Sequence, residues 1–314
     1  MADSRTQSLR IAWWNSRLAP KGKASSDSTI WKRASAVIAA LIKRYRIDLL
    51  AIGEVAEGQL QRIVTESCLE GFRVHESTGR DGRLQFETGL LYRSALFRII
   101  KHKPILSFHG SKRNIVGNRI DLQISRSGEL FYLFVSHWSM RRTIPKNDPR
   151  RLKLGDFLRS DVNELLSDRR SPPNIILLGD YNDEPFDTSI SECLFATRDR
   201  RLAQKNGRLL YNPFWRHLGE PEPHGGATAP AGYPGTAYHR SGDETCWRTV
   251  DQIIFSSAFV EGGNWQLNEA LTSILQLEGH FDDITHSKAV FDHFPVIATV
   301  ERKEQRDGEL QQRI

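Results

Sequence analysis

Asp180 and Asn182 stand two residues apart at the end of the apolar run Asn174-Ile-Ile-Leu-Leu-Gly-Asp-Tyr-Asn-Asp-Glu-Pro185, where a carboxylate and an amide can project from one strand end into one site. The same placement recurs along the chain. Asn15 follows apolar residues 9–14, Glu54 follows 48–53, and His137 follows 130–135. Asp251 opens another such run, and the pair Asp292-His293 precedes the last. Together these residues offer hard oxygen ligands for a divalent cation, amides to hold phosphate oxygens, and two histidines for proton transfer or charge stabilisation. No Cys or Ser nucleophile stands in a recognisable setting. The chemistry this set suits is metal-assisted attack of water on a phosphoester.

Such side chains need rigid elements behind them. Residues 175–178 read as a strand buried on both faces, with Gly179 letting the chain turn at its end. Residues 9–14 and 48–53 read as two further buried strands. Between them Trp31, Ala34, Ile38, Leu41, Ile42 and Tyr45 fall at helical spacing over 28–46, with Ser28 or Thr29 as cap. A helix over 58–69 precedes strands over 72–75, 88–92 and 96–105, with a turn at 79–82. Strands over 115–124 and 130–135 are joined by a hairpin connection at 125–129. Asp148 and Pro149 supply the cap and first residue of a helix striped by Leu154, Leu158, Val162 and Leu165. Residues 219–242 have no periodicity and read as surface loop, whereas 250–255 and 294–300 read as the closing strands. Residues 1–302 are expected to form a single domain, with 303–314 a polar tail. If the strands form two packed sheets, their polar ends converge on one edge.

The 314 residues suffice for a substantial core, and 39% hydrophobic with 26% charged residues suits a globular protein. No apolar run approaches the roughly 18 residues of a membrane helix, and the first residues lack the apolar core of a secretory signal. Cys68, Cys193 and Cys246 are odd in number and widely spaced, which points to reduced thiols. These features predict a cytoplasmic protein with no membrane association. Forty-four Lys and Arg against 38 Asp and Glu give a net charge of +6, which favours polyanionic partners.

Six motifs carry a resemblance: Trp14-Asn15, Ile52-Gly53-Glu54, Ser136-His137-Trp138, Gly179-Asp180-Tyr181-Asn182, Val250-Asp251-Gln252-Ile253 and Asp292-His293-Phe294-Pro295-Val296. Each alone is common; all six in order resemble the endonuclease/exonuclease/phosphatase superfamily. The resemblance implies an α/β fold, a four-layer α/β sandwich of two packed, mainly antiparallel sheets flanked by helices. It implies Glu54 as the principal Mg2+ or Mn2+ ligand, with Asn15 beside it and Asp292 close to the metal. Asp180 would orient or deprotonate water and Asn182 would hold the scissile phosphate. His293 would act in proton transfer, positioned by Asp251, and His137 would stabilise charge on the phosphorane. Arg119 is a further phosphate contact on this reading, and Glu87 a partner for His137. The sequence departs from the family in Gly53, where Gln is usual, and in Phe291, where Ser is often found. Neither change removes a catalytic functional group, although the support around the site is altered.

Trp14 and Trp138 flank site residues, as base-stacking surfaces or as core. Two basic clusters, Arg141, Arg142, Lys146, Arg150, Arg151 and Lys153, then Arg198, Arg200, Arg201, Lys205 and Arg208, follow site-bearing strands and are expected to rim a cleft and track a phosphate backbone. The reading is a metal-dependent nuclease with DNA or RNA as substrate. Its rivals are a phosphatase or phosphodiesterase on a small-molecule or lipid phosphoester, and a non-catalytic nucleic-acid-binding protein on the same fold. The histidines at 75, 102, 109, 217, 224, 239, 280 and 286 match no motif and are assigned no role.

Overall fold

The computed structural model describes residues 6–20, 27–81, 84–109, 112–146, 148–167, 171–218, 235–239, 245–261, 263–275, 277–285 and 289–303. Strand β1 (Thr6–Asn15) leads through α1 (Ser28–Lys43) to β2 (Leu49–Gly53) and α2 (Gln59–Glu66). Strands β3 (Phe72–Asp81), β4 (Leu84–Arg93), β5 (Phe97–His109), β6 (Lys112–Ile124) and β7 (Leu130–His137) follow. Helix α3 (Pro149–Leu166) returns the chain to β8 (Asn174–Asp180), and short β9 (Ala196–Thr197), α4 (Arg200–Lys205) and β10 (Leu210–Tyr211) come next. The chain closes with β11 (Ala237–Tyr238), β12 (Trp247–Arg248), β13 (Asp251–Ser256), β14 (Trp265–Ile274), α5 (His280–Thr285) and β15 (Val296–Lys303).

Two sheets hold most of these strands, in the orders β14-β15-β1-β2-β4-β3 and β5-β6-β7-β8-β13-β10-β9. Both are mainly antiparallel and form the α/β sandwich expected from the sequence. The first contains one parallel pair, bridged as β1-α1-β2, and the second contains two, β7-α3-β8 and the short β9-α4-β10. A parallel pair needs such a crossover, and it leaves both strands ending on the same side of their sheet. The ends coincide in register: Asn15 lies opposite Gly53, and His137 opposite Asp180.

Burial follows from side-chain alternation. In β8, Ile176 and Leu178 face the core between the sheets, whereas Ile175 and Leu177 face the core beneath α3, joined by Leu154, Leu158 and Val162. In α1, Ala34, Ile38, Leu41 and Ile42 are buried against the first sheet. Truncating one such side chain to Ala costs roughly 2–5 kcal/mol.

Several local readings are corrected. Helix α1 is capped by Asp27, whose Oδ1 accepts from Thr29 N at 2.7 Å, rather than by Ser28 or Thr29, and it ends three residues early. Asp148 and Pro149 do open α3, with Oδ1 of Asp148 accepting from Arg150 N at 2.8 Å. Residues 79–81 of the predicted turn at 79–82 instead continue β3, paired through Asp81 with Leu84, and residue 82 lies outside the described residues. Gly179 does not turn the chain, because β8 runs on through Asp180. A Cβ at Gly179 would lie 2.0 Å from Ser136 O, so glycine here permits the close approach of β7 and β8. Strand β14 and helix α5 had no counterpart in the sequence reading. Residues 219–234 and 240–242 of the predicted loop, and 304–314 of the predicted tail, lie outside the described residues. Among the described residues no helix is long and apolar enough to cross a membrane.

Candidate active site

The strand ends converge. Asn15 and Glu54 come from the parallel pair of the first sheet, and His137, Asp180 and Asp251 lie side by side on β7, β8 and β13 of the second. His293 precedes β15 and is held by an isolated bridge to Ala237. Asp180 Oδ2 is the meeting point, 3.3 Å from Asn15 Nδ2, 3.6 Å from His137 Nε2 and 3.7 Å from His293 Nε2. Asp180 Oδ1 accepts from Asn182 N at 2.8 Å, and Asn182 Nδ2 donates to Trp138 O at 2.9 Å.

Both imidazoles are held from behind by acids. His293 Nδ1 lies 2.7 Å from Asp251 Oδ2, and the other oxygen of Asp251 accepts from Trp13 Nε1 at 2.7 Å. His137 Nδ1 lies 2.8 Å from Glu87 Oε1 on β4, so this ion pair spans the two sheets. The pairing of Glu87 with His137 was expected; the indole of Trp13 as a partner of Asp251 was not. Burial opposes a proton on His137, but the contact and charge of Glu87, with the charges of Asp180 and Glu54, outweigh it and raise its pKa to about 9. The same contest on His293, with Asp251 and Asp180 against burial, leaves its pKa well above the usual imidazole value. The site therefore presents two cationic imidazoles on either side of one carboxylate.

Glu54 and Asn182 both hold left-handed backbone, with φ of 55° and 50°, a conformation that costs about 1–3 kcal/mol in a non-glycine residue and clusters at functional positions. Burial raises the Glu54 pKa, His137 draws it down and Asp292 pushes it up. Asn15 Nδ2 is 3.5 Å from Glu54 Oε1, while Asn15 Oδ1 is buried without a hydrogen-bond partner among the described residues. An orphaned buried acceptor beside a carboxylate that burial disfavours as an anion suits the binding of a cation. Asp292 is 43% exposed, with Oδ1 4.0 Å from His293 Nε2, and stands at the mouth. Asp180, Asp251 and His293 also bring ligand atoms within 4.8 Å of one another, but both oxygens of Asp251 already have donors. The donor set of Asn15, Glu54 and Asp292 is better suited to a hard cation.

Other expected residues lie elsewhere. Arg119 points to the α3 side of β6, makes a two-pronged pair with Asp121 at 2.7 and 2.9 Å, and lies over Tyr132. Its neighbour Asn118 faces the other way, to Thr88 Oγ1 at 3.2 Å. Trp138 is buried wall, donating to Val116 O and packed edge-on against Tyr181. Trp14 likewise is buried and donates to His293 O at 3.1 Å. Arg141 donates from Nε to Asn182 O at 2.9 Å and pairs with Asp187, so it braces the site loop from behind. Arg142 is exposed. Arg151 is fully buried, donating to Ile144 O and Tyr181 O with Asp183 Oδ2 at 3.5 Å. Helix α4 packs on β9 and β10, of which β10 joins β13 at Phe255 and Ser256, the end remote from Asp251. The two clusters are thus largely spent on internal pairs or set away from the site.

One histidine was passed over. His239 follows β11, its ring centroid 6.3 Å from that of His293 and perpendicular to it. Burial, then the charges of His293 and Arg248, hold its pKa down at about 4, so a neutral imidazole adjoins the charged His293. Its position depends on backbone pairing, Tyr238 N to Asp292 O at 2.9 Å, which no local pattern discloses.

The fold and this edge define an α/β sandwich with an acid, amide and imidazole site where its two sheets open. The chain belongs to the Endonuclease/Exonuclease/phosphatase family, whose sequence model matches residues 35–273. Members of this family are generally phosphoester hydrolases. Solved structures share the fold at low identity. An endonuclease/exonuclease/phosphatase family protein from Bacteroides thetaiotaomicron is 18% identical over 96% of this chain and all of that one, with a TM-score of 0.59. The mannosyl-6-phosphatase Bt3783 of the same organism is 17% identical, over 93% of this chain and 99% of that one, with a TM-score of 0.56. TDP2 of D. rerio, in complex with a single-strand DNA product, is 14% identical over 94% of this chain and 99% of that one, with a TM-score of 0.57. Among curated protein sequences none matched.

Proposed function

We propose that this chain is a divalent-cation-dependent phosphodiesterase that hydrolyses nucleic acid. The observation that carries the reading is the position of Asp180 Oδ2 between His137 and His293, beside the orphaned Oδ1 of Asn15. Asn15, Glu54 and Asp292 would hold the cation, Mg2+ or Mn2+, which when bound lowers the pKa of water and offsets phosphate charge. Asp180 accepts the proton of the attacking water. His293, held by Asp251, supplies a proton toward the leaving oxygen, and His137, kept charged by Glu87, stabilises the negative charge that grows on phosphorus oxygens. Asn182, fixed in left-handed backbone by its N–H to Asp180, orients a phosphate oxygen. Each imidazolium lies in a buried, low-dielectric setting where a fixed charge acts strongly and need not reorganise.

A phosphomonoesterase on a small substrate is the second reading. It is favoured by the internal pairing of Arg141, Arg151 and Arg200, which leaves fewer cations for a polymer backbone than the sequence promises. Incubation of the protein with Mg2+ and end-labelled single- and double-stranded DNA and RNA separates the two. Metal-dependent fragments, absent with EDTA and in an Asp180→Ala variant, support the nuclease. Turnover of simple phosphomonoesters with all four polymers left intact transfers the assignment to the phosphatase.

A further inference from the structure

Four residues beyond Asn182 the chain turns a large apolar side chain outward: Phe186 is 42% exposed. It has company. The ring of Trp215 lies 6.3 Å from it at 61°, Lys146 Nζ stands 5.0 Å from the Phe186 centroid, and the Arg198 guanidinium stands 5.2 Å from the Trp215 centroid. Four segments therefore contribute to one patch of two aromatic rings with a cation on each. The patch is tied to the active site by one line of contacts. Lys146 pairs with Asp187 at 2.8 Å, Asp187 pairs with Arg141, and Arg141 Nε donates to Asn182 O at 2.9 Å.

An exposed phenyl ring adds little to the core, whereas paired rings that each carry a cation over one face bring together the two properties an unpaired nucleotide selects, aromatic surface for the base and positive charge for the phosphate. We propose that Phe186 and Trp215, with Lys146 and Arg198, form a stacking subsite for an unpaired base of a single-stranded polynucleotide, on the Asn182 side of the scissile phosphate. This rests on the nuclease reading above. In a duplex the base faces are covered by their neighbours, so the subsite favours single strands.

The test is fluorescence anisotropy of a labelled single-stranded oligonucleotide with the full-length protein in EDTA, so that binding is read without cleavage. A second strand of equal length is abasic across the positions that flank the cut. Phe186→Ala is expected to weaken binding of the normal strand by about 5- to 150-fold, the range of one stacked base. Phe186→Trp should restore it, and the abasic strand should bind the wild type and Phe186→Ala alike. Arg198→Gln should lower the salt slope of log affinity by about 0.7, one phosphate contact. Equal loss on both strands, or none on either, overturns the subsite while the nuclease reading stands. A wild type that neither binds nor cleaves any polynucleotide overturns both.

Discussion

Glu87 and His137, one from each sheet, meet at 2.8 Å across the opening of the sandwich. The carboxylate holds the imidazole charged, and the pair fastens β4 to β7 beside the site. Because the pKa of His137 is raised to about 9, the folded protein keeps a proton that the unfolded chain, near 6.5, releases. That stability is fully present below pH 6.5 and is lost as the pH rises through 9. In metal-free protein the melting temperature should fall over this window, by several degrees, since the rise in pKa is equivalent to about 3 kcal/mol. Glu87→Gln should flatten the fall. An unchanged pH dependence in that variant argues that the charge of His137 is set by other groups.

Trp13 is expected to matter to catalysis although it touches no substrate atom. Its N–H occupies one oxygen of Asp251, and Trp13→Phe leaves that oxygen buried and unpaired, at a cost of about 1–3 kcal/mol. With His293 less firmly held, kcat should fall by roughly 10- to 100-fold with KM little altered. Steady-state kinetics on a phosphodiester give the split directly, and a change confined to KM would count against the role.

Cation binding should depend on Glu54. In Glu54→Gln the affinity for Mn2+, measured by calorimetry, should drop by at least about 100-fold, beyond what loss of an outer partner produces. A comparable titration of Asp292→Asn separates a ligand at the mouth from a group acting only through charge. Retention of Mn2+ affinity in Glu54→Gln would falsify the assignment of Asn15, Glu54 and Asp292 as the cation-holding set.

Two neighbouring arginines should differ sharply in what they contribute to stability. Arg151 is fully buried beside Asp183, whose pKa burial lifts to about 6 despite the arginine. Arg151→Met leaves the carbonyls of Ile144 and Tyr181 without their donor and should cost about 3–5 kcal/mol by chemical denaturation. Arg150, at the start of the same helix, pairs with Asp148 at the surface, and Arg150→Ala should cost under about 1 kcal/mol.

The sequence discloses the site where position along a strand decides it. Asn15, Glu54, His137, Asp180 and Asp251 each end or open a buried run, and a buried run is a local pattern. It does not disclose which face a residue takes: Arg119 and Asn118 are adjacent in β6, and one residue of alternation sends Arg119 to Asp121 beneath α3. Nor does it disclose partners set by packing of the sheets. Trp13 and Asp251 are 238 positions apart, and His239 reaches the site through a bridge between Ala237 and His293. The cap of α1 lies one or two residues before the expected Ser28 or Thr29 because Asp27, Ser28 and Thr29 are all competent caps. Strand β14 was missed because its pairing shifts between Asn268 and Ser273, which breaks the alternation that would have marked it.

Gly53 stands where the family usually has glutamine, and the space it leaves is taken. A Cβ there would lie 2.7 Å from the edge of the Trp13 indole, the same indole that donates to Asp251. Positions 13 and 53 are therefore not free to vary independently: any side chain at 53 displaces the ring, and any smaller ring at 13 opens a void beside the glycine. Among relatives the two should change as a pair, tryptophan with glycine or a smaller residue with a longer one. In the laboratory each single exchange should be worse than the exchange of both.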